Sequence, residues 1–144
     1  ETTLYNQFFK ILPIDWQDAI LPFWESYKNT TQCYLLLENK KPVAGGLVFS
    51  ICPPDMLYAK EEAEMWFKNG YLYLGFIYVL EDKRGHNLGS IWLSQLKSKF
   101  PNQKYWLIIE DLGLQGFYVN NGLKQIKMLN NEGHQEALYS FEPV

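Results

Sequence analysis

Apolar residues recur along the chain with two spacings: a period of about 2 residues predicts strands, and a period of about 3.6 residues predicts helices. Residues 4–12 have the apolar content of a first strand, and Pro13 ends it. Apolar residues then recur at helical spacing as far as Tyr27, and Pro22 within this pattern predicts a kink or two short helices. We therefore expect the chain to begin with a strand and a pair of helices.

The middle of the chain predicts a hairpin, a helix and a central strand. Residues 33–38 and 43–51 are rich in aliphatic side chains and flank a polar turn, as in a hairpin. A helix is predicted over residues 60–68, and Gly70 follows its end. Residues 71–80 are apolar at successive positions, which is typical of a strand buried on both faces of a sheet.

Helices and strands alternate in the second half. Four apolar side chains repeat every four residues and predict a helix: Leu88, Trp92, Leu96 and Phe100. A strand over residues 104–109, a helix between Asp111 and Asn121, and strands over 123–129 and 137–141 are expected next. The order predicts one mixed α/β domain over residues 1–144.

Composition excludes several classes of protein. Of the 144 residues, 47% are hydrophobic and 17% aromatic, which is too apolar for an intrinsically disordered chain. The net charge of −3 gives no basic excess to neutralise phosphates, so nucleic acid is not expected as a partner. No apolar run is long enough to span a membrane, and we do not expect the protein to have a membrane as its partner.

Motifs of other catalytic classes are missing from the sequence. It contains no P-loop, no dinucleotide glycine fingerprint and no nucleophile elbow. His86 and His134 do not have metal-ligand spacing, so no metal site is expected. Cys33 and Cys52 form no CxxC pair, and we expect two buried thiols in a reducing cytoplasm.

The most informative segment, residues 79–90, joins the central strand to the following helix. A helix N-terminus carries partial positive charge and N–H groups without intrahelical partners, and can bind phosphate. Gly85 and Gly89 allow an anion to approach the backbone, Asn87 tolerates left-handed angles, and Arg84 adds a cation. Taken alone, these residues fit either a diphosphate site or an ordinary tight turn.

Two motifs resemble those of the GNAT N-acetyltransferase superfamily. Residues 84–89, Arg-Gly-His-Asn-Leu-Gly, are similar to its acyl-CoA signature, although Asn87 stands where the family prefers Gly. Residues 117–123, Phe-Tyr-Val-Asn-Asn-Gly-Leu, resemble its Phe-Tyr-x-x-x-Gly-Phe segment. The resemblance spans residues 71–129 and implies a mostly antiparallel, seven-stranded sheet with splayed central parallel strands and flanking helices.

The resemblance also implies acetyl-CoA as cofactor and N-acetyltransferase activity, with direct attack by a primary amine in a ternary complex. Backbone groups near the end of the central strand would bind the pantetheine arm and polarise the thioester carbonyl, and the loop would hold the diphosphate. Asp111 falls where many members carry an Asn that contacts the cofactor. The cofactor-binding residues implied in this way are Ile77, Tyr78, Val79, Arg84, Gly85, His86, Asn87, Leu88, Gly89, Ser90 and Asp111.

Tyr118 matches the tyrosine that is often proposed to protonate the departing thiolate in this family. The central strand contains no carboxylate, so a base that deprotonates the amine must come from elsewhere. Glu110 is our candidate base because it ends the neighbouring strand at the edge where such sites form, as Asp111 also does. Five further carboxylates stay open as bases: Glu61, Glu62, Glu64, Glu81 and Asp82.

Several alternatives remain open at this point. Tyr58, Met65, Trp66 and Phe67 would form either an acceptor pocket wall or the packed face of a helix. The acceptor would be a small-molecule or peptide amine, and a homodimer is compatible with the family. A non-catalytic module that binds acyl-CoA on the same fold is the second hypothesis, and an interaction domain without a cofactor is the third.

Overall fold

A six-stranded sheet organises residues 2–143, which are the residues that the computed structural model describes. The strand order is β1-β2-β3-β4-β6-β5, and only β3 and β4 run parallel to each other. The strands are β1 (Thr31–Glu38), β2 (Lys41–Phe49), β3 (Tyr71–Val79), β4 (Lys104–Ile109), β5 (Lys124–Asn131) and β6 (His134–Phe141).

Six α-helices flank the sheet within the described residues, four of them short or joined to 3-10 turns. They are α1 (Thr2–Ile11), α2 (Ile14–Ile20), α3 (Trp24–Tyr27), α4 (Lys60–Lys68), α5 (Leu88–Lys99) and α6 (Gln115–Asn120). The 3-10 turns are Leu21–Phe23, Pro54–Ala59, Glu81–Lys83 and Leu112–Leu114. No helix in the described part of the chain is long and apolar enough to cross a membrane.

The first predicted strand is wrong, because residues 4–12 belong largely to helix α1. Phe8, Phe9 and Leu12 are buried, with Tyr5 partly buried one turn before, whereas Lys10 is exposed. This spacing is that of one helix face, which a short apolar window does not distinguish from a strand. The sheet consequently has six strands rather than the seven that the resemblance implies.

The other elements are confirmed, with small differences in their bounds. Pro22 lies at the start of the 3-10 turn between α2 and α3, so the predicted helical pair is interrupted where expected. No residue of β3 is exposed, as predicted for a central strand. The helix predicted between Asp111 and Asn121 divides into the 3-10 turn Leu112–Leu114 and α6.

Two consecutive glycines on β2 let helices approach the sheet from both faces. A Cβ on Gly45 would lie 2.9 Å from the ring of Phe8 on α1. A Cβ on Gly46 would lie 2.7 Å from the ring of Trp92 on α5, on the opposite side of the strand. Trp92 is further fixed by a 2.9 Å hydrogen bond from Nε1 to the Tyr34 carbonyl. These contacts hold the N-terminal half of α5 against β1 and β2.

We expect Gly46→Ala to lower the free energy of unfolding by about 1–3 kcal/mol, because the added methyl group overpacks the Trp92 contact. Urea denaturation followed by tryptophan fluorescence measures the change. Gly116→Ala is the matched control, since a Cβ there meets nothing within 4 Å among the described residues. It should leave stability unchanged or raise it by up to about 1 kcal/mol. Equal midpoints for parent and Gly46→Ala would contradict this packing.

Candidate active site

The parallel strands β3 and β4 pair over only their first three residues, from Tyr71↔Lys104 to Tyr73↔Trp106. Beyond this point β3 stays paired with β2, and β4 stays paired with β6. A cleft of about 430 Å³ therefore opens between the two strands. Its lining includes Ile77 of β3, the phenol of Tyr118 and four carboxylates: Asp15, Asp55, Glu110 and Asp111.

A bulge in β3 accompanies the separation of the strands. Gly75 is opposite Leu47 and Tyr78 is opposite Gly45, so two residues of β3 face a single residue of β2. Phe76, the first of these two, has a φ of 56°. Bulges of this kind bend a strand and increase its twist, which turns the end of β3 away from β4.

Tyr73 fills the first part of the gap. Its hydroxyl accepts a 3.4 Å hydrogen bond from the Ile108 backbone N–H of β4. Its ring lies against Gly75, where a Cβ would be only 3.0 Å away. A tyrosine side chain thus satisfies a backbone donor that a continuous strand pair would otherwise satisfy. Burial raises the pKa of Tyr73 well above its usual value, so the phenol stays neutral.

The backbone of β3 beyond the bulge offers groups to the cleft. Leu80 N–H donates to the Val43 carbonyl of β2 at 2.9 Å. Alternate residues of a strand direct their backbone N–H and C=O groups to the same side. The backbone groups of Tyr78 therefore also point toward β2, whereas those of Ile77 and Val79 point toward the side of β3 where no described strand pairs with it. The Val79 carbonyl accepts a 3.1 Å hydrogen bond from Arg84 Nε.

Helix α5 begins at the same end of β3, and its first turn is uncapped. Asn87 precedes the helix with a φ of 60°, and its side chain makes no capping hydrogen bond with any described residue. The N–H groups of Leu88, Gly89 and Ser90 therefore lack the partners that an N-cap would supply. Gly85 has a φ of 88° and no described atom within 4 Å of a Cβ there.

The charged and polar side chains of this loop surround the helix start. Arg84 is exposed, and its guanidinium lies 5.2 Å from the centre of the Tyr78 ring. His86 is also exposed. Lys83 pairs instead with Glu38 on β1, so the two neighbouring cations have different surroundings.

The two sequence motifs touch each other in the fold. A Cβ on Gly89 would lie 2.9 Å from the Phe117 ring, so the glycine is required where α5 and α6 pack together. Asn121 Nδ2 donates to Ser90 Oγ at 3.1 Å. The loop motif and the second motif therefore form one surface beside the cleft.

Tyr118 is buried on α6 and lines the cleft. Its hydroxyl makes no hydrogen bond with any residue in the range 2–143, and it stays accessible from the cleft, since it is not among the fully buried polar atoms that lack a partner. Burial raises its pKa from 10.0 to about 12, so the phenol keeps its proton at neutral and mildly alkaline pH.

Four carboxylates also line the cleft: Asp15, Asp55, Glu110 and Asp111. Glu110 follows β4 and is exposed to the cleft, while Asp111 Oδ1 accepts the Gly113 N–H at 2.9 Å and caps the next turn. Asp55 stands in the first turn after β2. Desolvation by surrounding protein and, to a smaller extent, the charges of Glu110 and Glu136 together raise the pKa of Asp55 to about 6, although the residue is exposed to solvent at the cleft.

The remaining candidate bases lie outside the cleft lining. Glu81 and Asp82 are exposed on the 3-10 turn after β3. Glu61, Glu62 and Glu64 lie on α4, where Glu62 pairs with Lys127 at 2.8 Å. No group of three or more His, Cys, Asp or Glu side chains in the described chain could hold a metal ion.

The aromatic residues and Met65 of the segment before β3 are predicted to form either a pocket wall or the packed face of a helix, and both roles occur. Tyr58 lines the cleft and donates its hydroxyl to the buried Glu136. Trp66 and Phe67 instead pack against the core ring of Trp106, and Met65 is exposed. Sequence reasoning missed Asp15, Trp16, Asp55 and Tyr73 as cleft residues, because no motif surrounds them and only the fold brings them together.

The Acetyltransferase (GNAT) family model matches residues 2–122 of the chain. The sequence matches none of the curated proteins. An aminoglycoside 6'-N-acetyltransferase complexed with coenzyme A superposes with a TM-score of 0.73, 12% identity, and coverage of 100% of this chain and 93% of that chain. An aminoglycoside 6'-acetyltransferase type Ii superposes with a TM-score of 0.73 and 14% identity, and the match covers 100% of this chain and 92% of that chain.

Escherichia coli ElaA is a third similar structure, with a TM-score of 0.54 and 19% identity over 78% of this chain and 68% of that chain. At these identities the three likenesses show a common fold. The family match is independent of them and covers most of the sequence, including the first motif and residues 117–122 of the second. The chain therefore belongs to the GNAT acetyltransferase family.

Proposed function

We propose that the protein is an acetyl-CoA-dependent N-acetyltransferase that acts on a primary amine by direct attack in a ternary complex. The observation that carries the proposal is the cleft between β3 and β4, which opens beside the uncapped start of α5. Membership of the acetyltransferase family and likeness to an acetyltransferase crystallised with coenzyme A support it.

The start of α5 suits the diphosphate of acetyl-CoA. Backbone N–H groups of Leu88, Gly89 and Ser90 lie at the positive end of the helix dipole and have no capping side chain. The open space around Gly85 leaves room for the anion, and Arg84 brings a permanent cation to the loop. His86 and Asn87 complete the exposed rim of this cradle.

The outer edge of β3 suits the pantetheine arm. Ile77 and Val79 direct backbone groups toward the side of the strand that lacks a partner, where an extended chain can add as a further strand. Tyr78 contributes through its ring, which supports Arg84. An N–H on this edge is also the group that we propose to polarise the thioester carbonyl.

Acetyl-CoA supplies an acyl thioester that a neutral amine can attack. We assign Glu110 as the base that takes the proton from the incoming ammonium, since it lines the cleft and carries no ion pair in the described chain. Tyr118 donates its proton to the departing sulfur. Asp111 is less available for either task, because its carboxylate caps the following turn.

Arg84→Ala should weaken acetyl-CoA binding about tenfold or more, because a charge-assisted contact to phosphate contributes roughly 1.5–3 kcal/mol. Isothermal titration calorimetry measures the dissociation constant. Lys83→Ala is the matched control, since this neighbouring cation pairs with Glu38, and it should change affinity less than about twofold. If the parent protein binds no acyl-CoA at millimolar concentration, the proposed function is wrong.

Tyr118→Phe should lower kcat by about a hundredfold or more while acetyl-CoA affinity stays within about twofold, because it removes only the proton donor. Release of free thiol with a panel of amines measures turnover. Tyr139→Phe is the control, because its ring lies 6.1 Å from that of Tyr118 and its hydroxyl bonds to Gln125 outside the cleft. Unchanged turnover would exclude Tyr118, and tight binding without any turnover would favour a non-catalytic acyl-CoA-binding module.

The pH dependence of kcat provides a separate check on Tyr118. Because burial raises the pKa of Tyr118 to about 12, the proton donor stays intact well above the pKa of free tyrosine. A profile of kcat against pH should therefore show no loss of activity from tyrosine ionisation up to about pH 11, where a free tyrosine would already be largely ionised. If kcat of the parent falls near pH 10 but kcat of Tyr139→Phe does not, the fall belongs to ionisation of Tyr139. If the fall persists in Tyr139→Phe, it contradicts the raised pKa of Tyr118.

A further inference from the structure

The carboxylates that line the cleft form no ion pair with any described residue. Asp15, Asp55 and Glu110 are absent from the three salt bridges of the described chain, which are Glu25–Lys28, Glu38–Lys83 and Glu62–Lys127. Exposed acids such as Asp18 and Glu81 form no ion pair with a described residue either, but they do not line a common cavity. No Lys, Arg or His within residues 2–143 lines the cleft, which therefore concentrates negative charge.

These acids also repel one another. The charges of Glu110 and Glu136 act on Asp55 in addition to its desolvation, and together they hold its pKa near 6. A cation bound in the cleft beside Asp55 and Glu110 would remove part of this repulsion. The site is thus complementary to a positively charged ligand in its electrostatics as well as its lining.

Rigid aromatic rings stand beside the acids. The Trp16 ring packs edge-on against Phe76 at 6.1 Å and against Tyr78 at 5.7 Å, which fixes it at the cleft. Tyr58 is held by its hydrogen bond to Glu136. Aromatic faces attract ammonium groups, so the walls and the acids favour the same class of ligand.

The Tyr118 side chain, which is buried except where its hydroxyl meets the cleft, is an independent sign that a polar ligand enters here. It is aimed into the cleft from α6 and has no hydrogen-bond partner among residues 2–143, while only 6% of the residue is exposed. The cleft volume of about 430 Å³ is in the range of small-molecule sites. A small ligand that reaches this hydroxyl would lie alongside the acids.

One reacting amine does not account for this number of carboxylates. The nitrogen that attacks the thioester must be neutral, and a single base suffices to deprotonate it. Resting on the proposed function, we propose that the acceptor is a small diamine or polyamine, with its second ammonium held by Asp55 and Asp15 while Glu110 serves the reacting amine. The second ammonium fixes the orientation of the acceptor and leaves the other amine free to react.

A matched pair of acceptors tests the proposal: 1,5-diaminopentane and 1-aminohexane, in which a methyl group replaces the second ammonium. Thiol release gives kcat/KM, and calorimetry on the protein loaded with coenzyme A gives the affinity for each amine. We expect kcat/KM for the diamine to exceed that for the monoamine by about ten- to a hundredfold, the range of a hydrogen bond to a charged group. Equal values for the two amines would overturn the proposal.

Asp55→Asn should reduce the preference for the diamine about tenfold, mainly through KM, because it removes one charge from the second-ammonium site. Asp18→Asn is the control: it neutralises an exposed acid on the same helix as Asp15 that does not line the cleft, and it should leave the preference unchanged. A loss in Asp55→Asn that is equal for both amines would overturn the assignment, since Asp55 would then act on the reacting nitrogen or on folding.

The remaining outcomes separate this proposal from the proposed function. A lysine-containing peptide that is acetylated better than the diamine, with no response to Asp55→Asn, would overturn the small-polyamine acceptor and leave the acetyltransferase intact. If no amine is acetylated, the affinities decide: tighter binding of the diamine than of 1-aminohexane, lost in Asp55→Asn, supports the site, and equal binding overturns it. The proposed function fails independently if acetyl-CoA does not bind.

Discussion

The incomplete pairing of β3 with β4 is the constraint on which the rest of the site depends. Parallel strands that stayed paired beyond Tyr73 and Trp106 would leave no cleft and no free edge on β3. The bulge at Phe76 bends one strand away, and the Tyr73 hydroxyl satisfies the Ile108 N–H where the gap begins. The separation is therefore built from one backbone distortion and one side chain, and it leaves backbone donors available where an extended ligand can use them.

Sequence patterning predicted the parts of the fold that depend on local signals. The glycines and Asn87 mark the turn before α5, and the continuous apolar run marks β3, so the loop and its strand could be located directly. The strand predicted over residues 4–12 was wrong because the prediction rested on apolar content, whereas the spacing of Phe8, Phe9 and Leu12 fits one face of a helix. Asp55 could not be found in the same way, since it reaches the cleft only through the path of the chain after β2 and no local pattern encodes that path.

The raised pKa of Asp55 lowers the stability of the folded protein at neutral pH, which is consistent with a functional role for this carboxylate. The pKa of Asp55 is about 6 in the folded protein and about 3.9 in an unfolded chain. The folded state then binds this proton more tightly, so the contribution of Asp55 to stability falls as the pH rises from about 4 to about 6 and stays lower above that. A carboxylate with no function is not expected to remain near two others that repel it. For an acid that binds a cationic ligand, in contrast, the neighbouring negative charges strengthen the attraction to the ligand.

The contact between the two motifs joins the cofactor loop to the proposed proton donor. Phe117 packs on Gly89 in the first turn of α5, and Tyr118 is the next residue of α6, with its ring 4.9 Å from that of Phe117. A side chain larger than hydrogen at position 89 would displace Phe117 and, with it, the adjacent phenol. The glycine therefore has a second role beside close approach of an anion: it sets the distance between the helix start that we assign to the diphosphate and the hydroxyl that we assign to the thiolate. Because α5 is itself fixed to the sheet through Trp92 and Gly46, the loop, the cleft and Tyr118 share one rigid frame of reference.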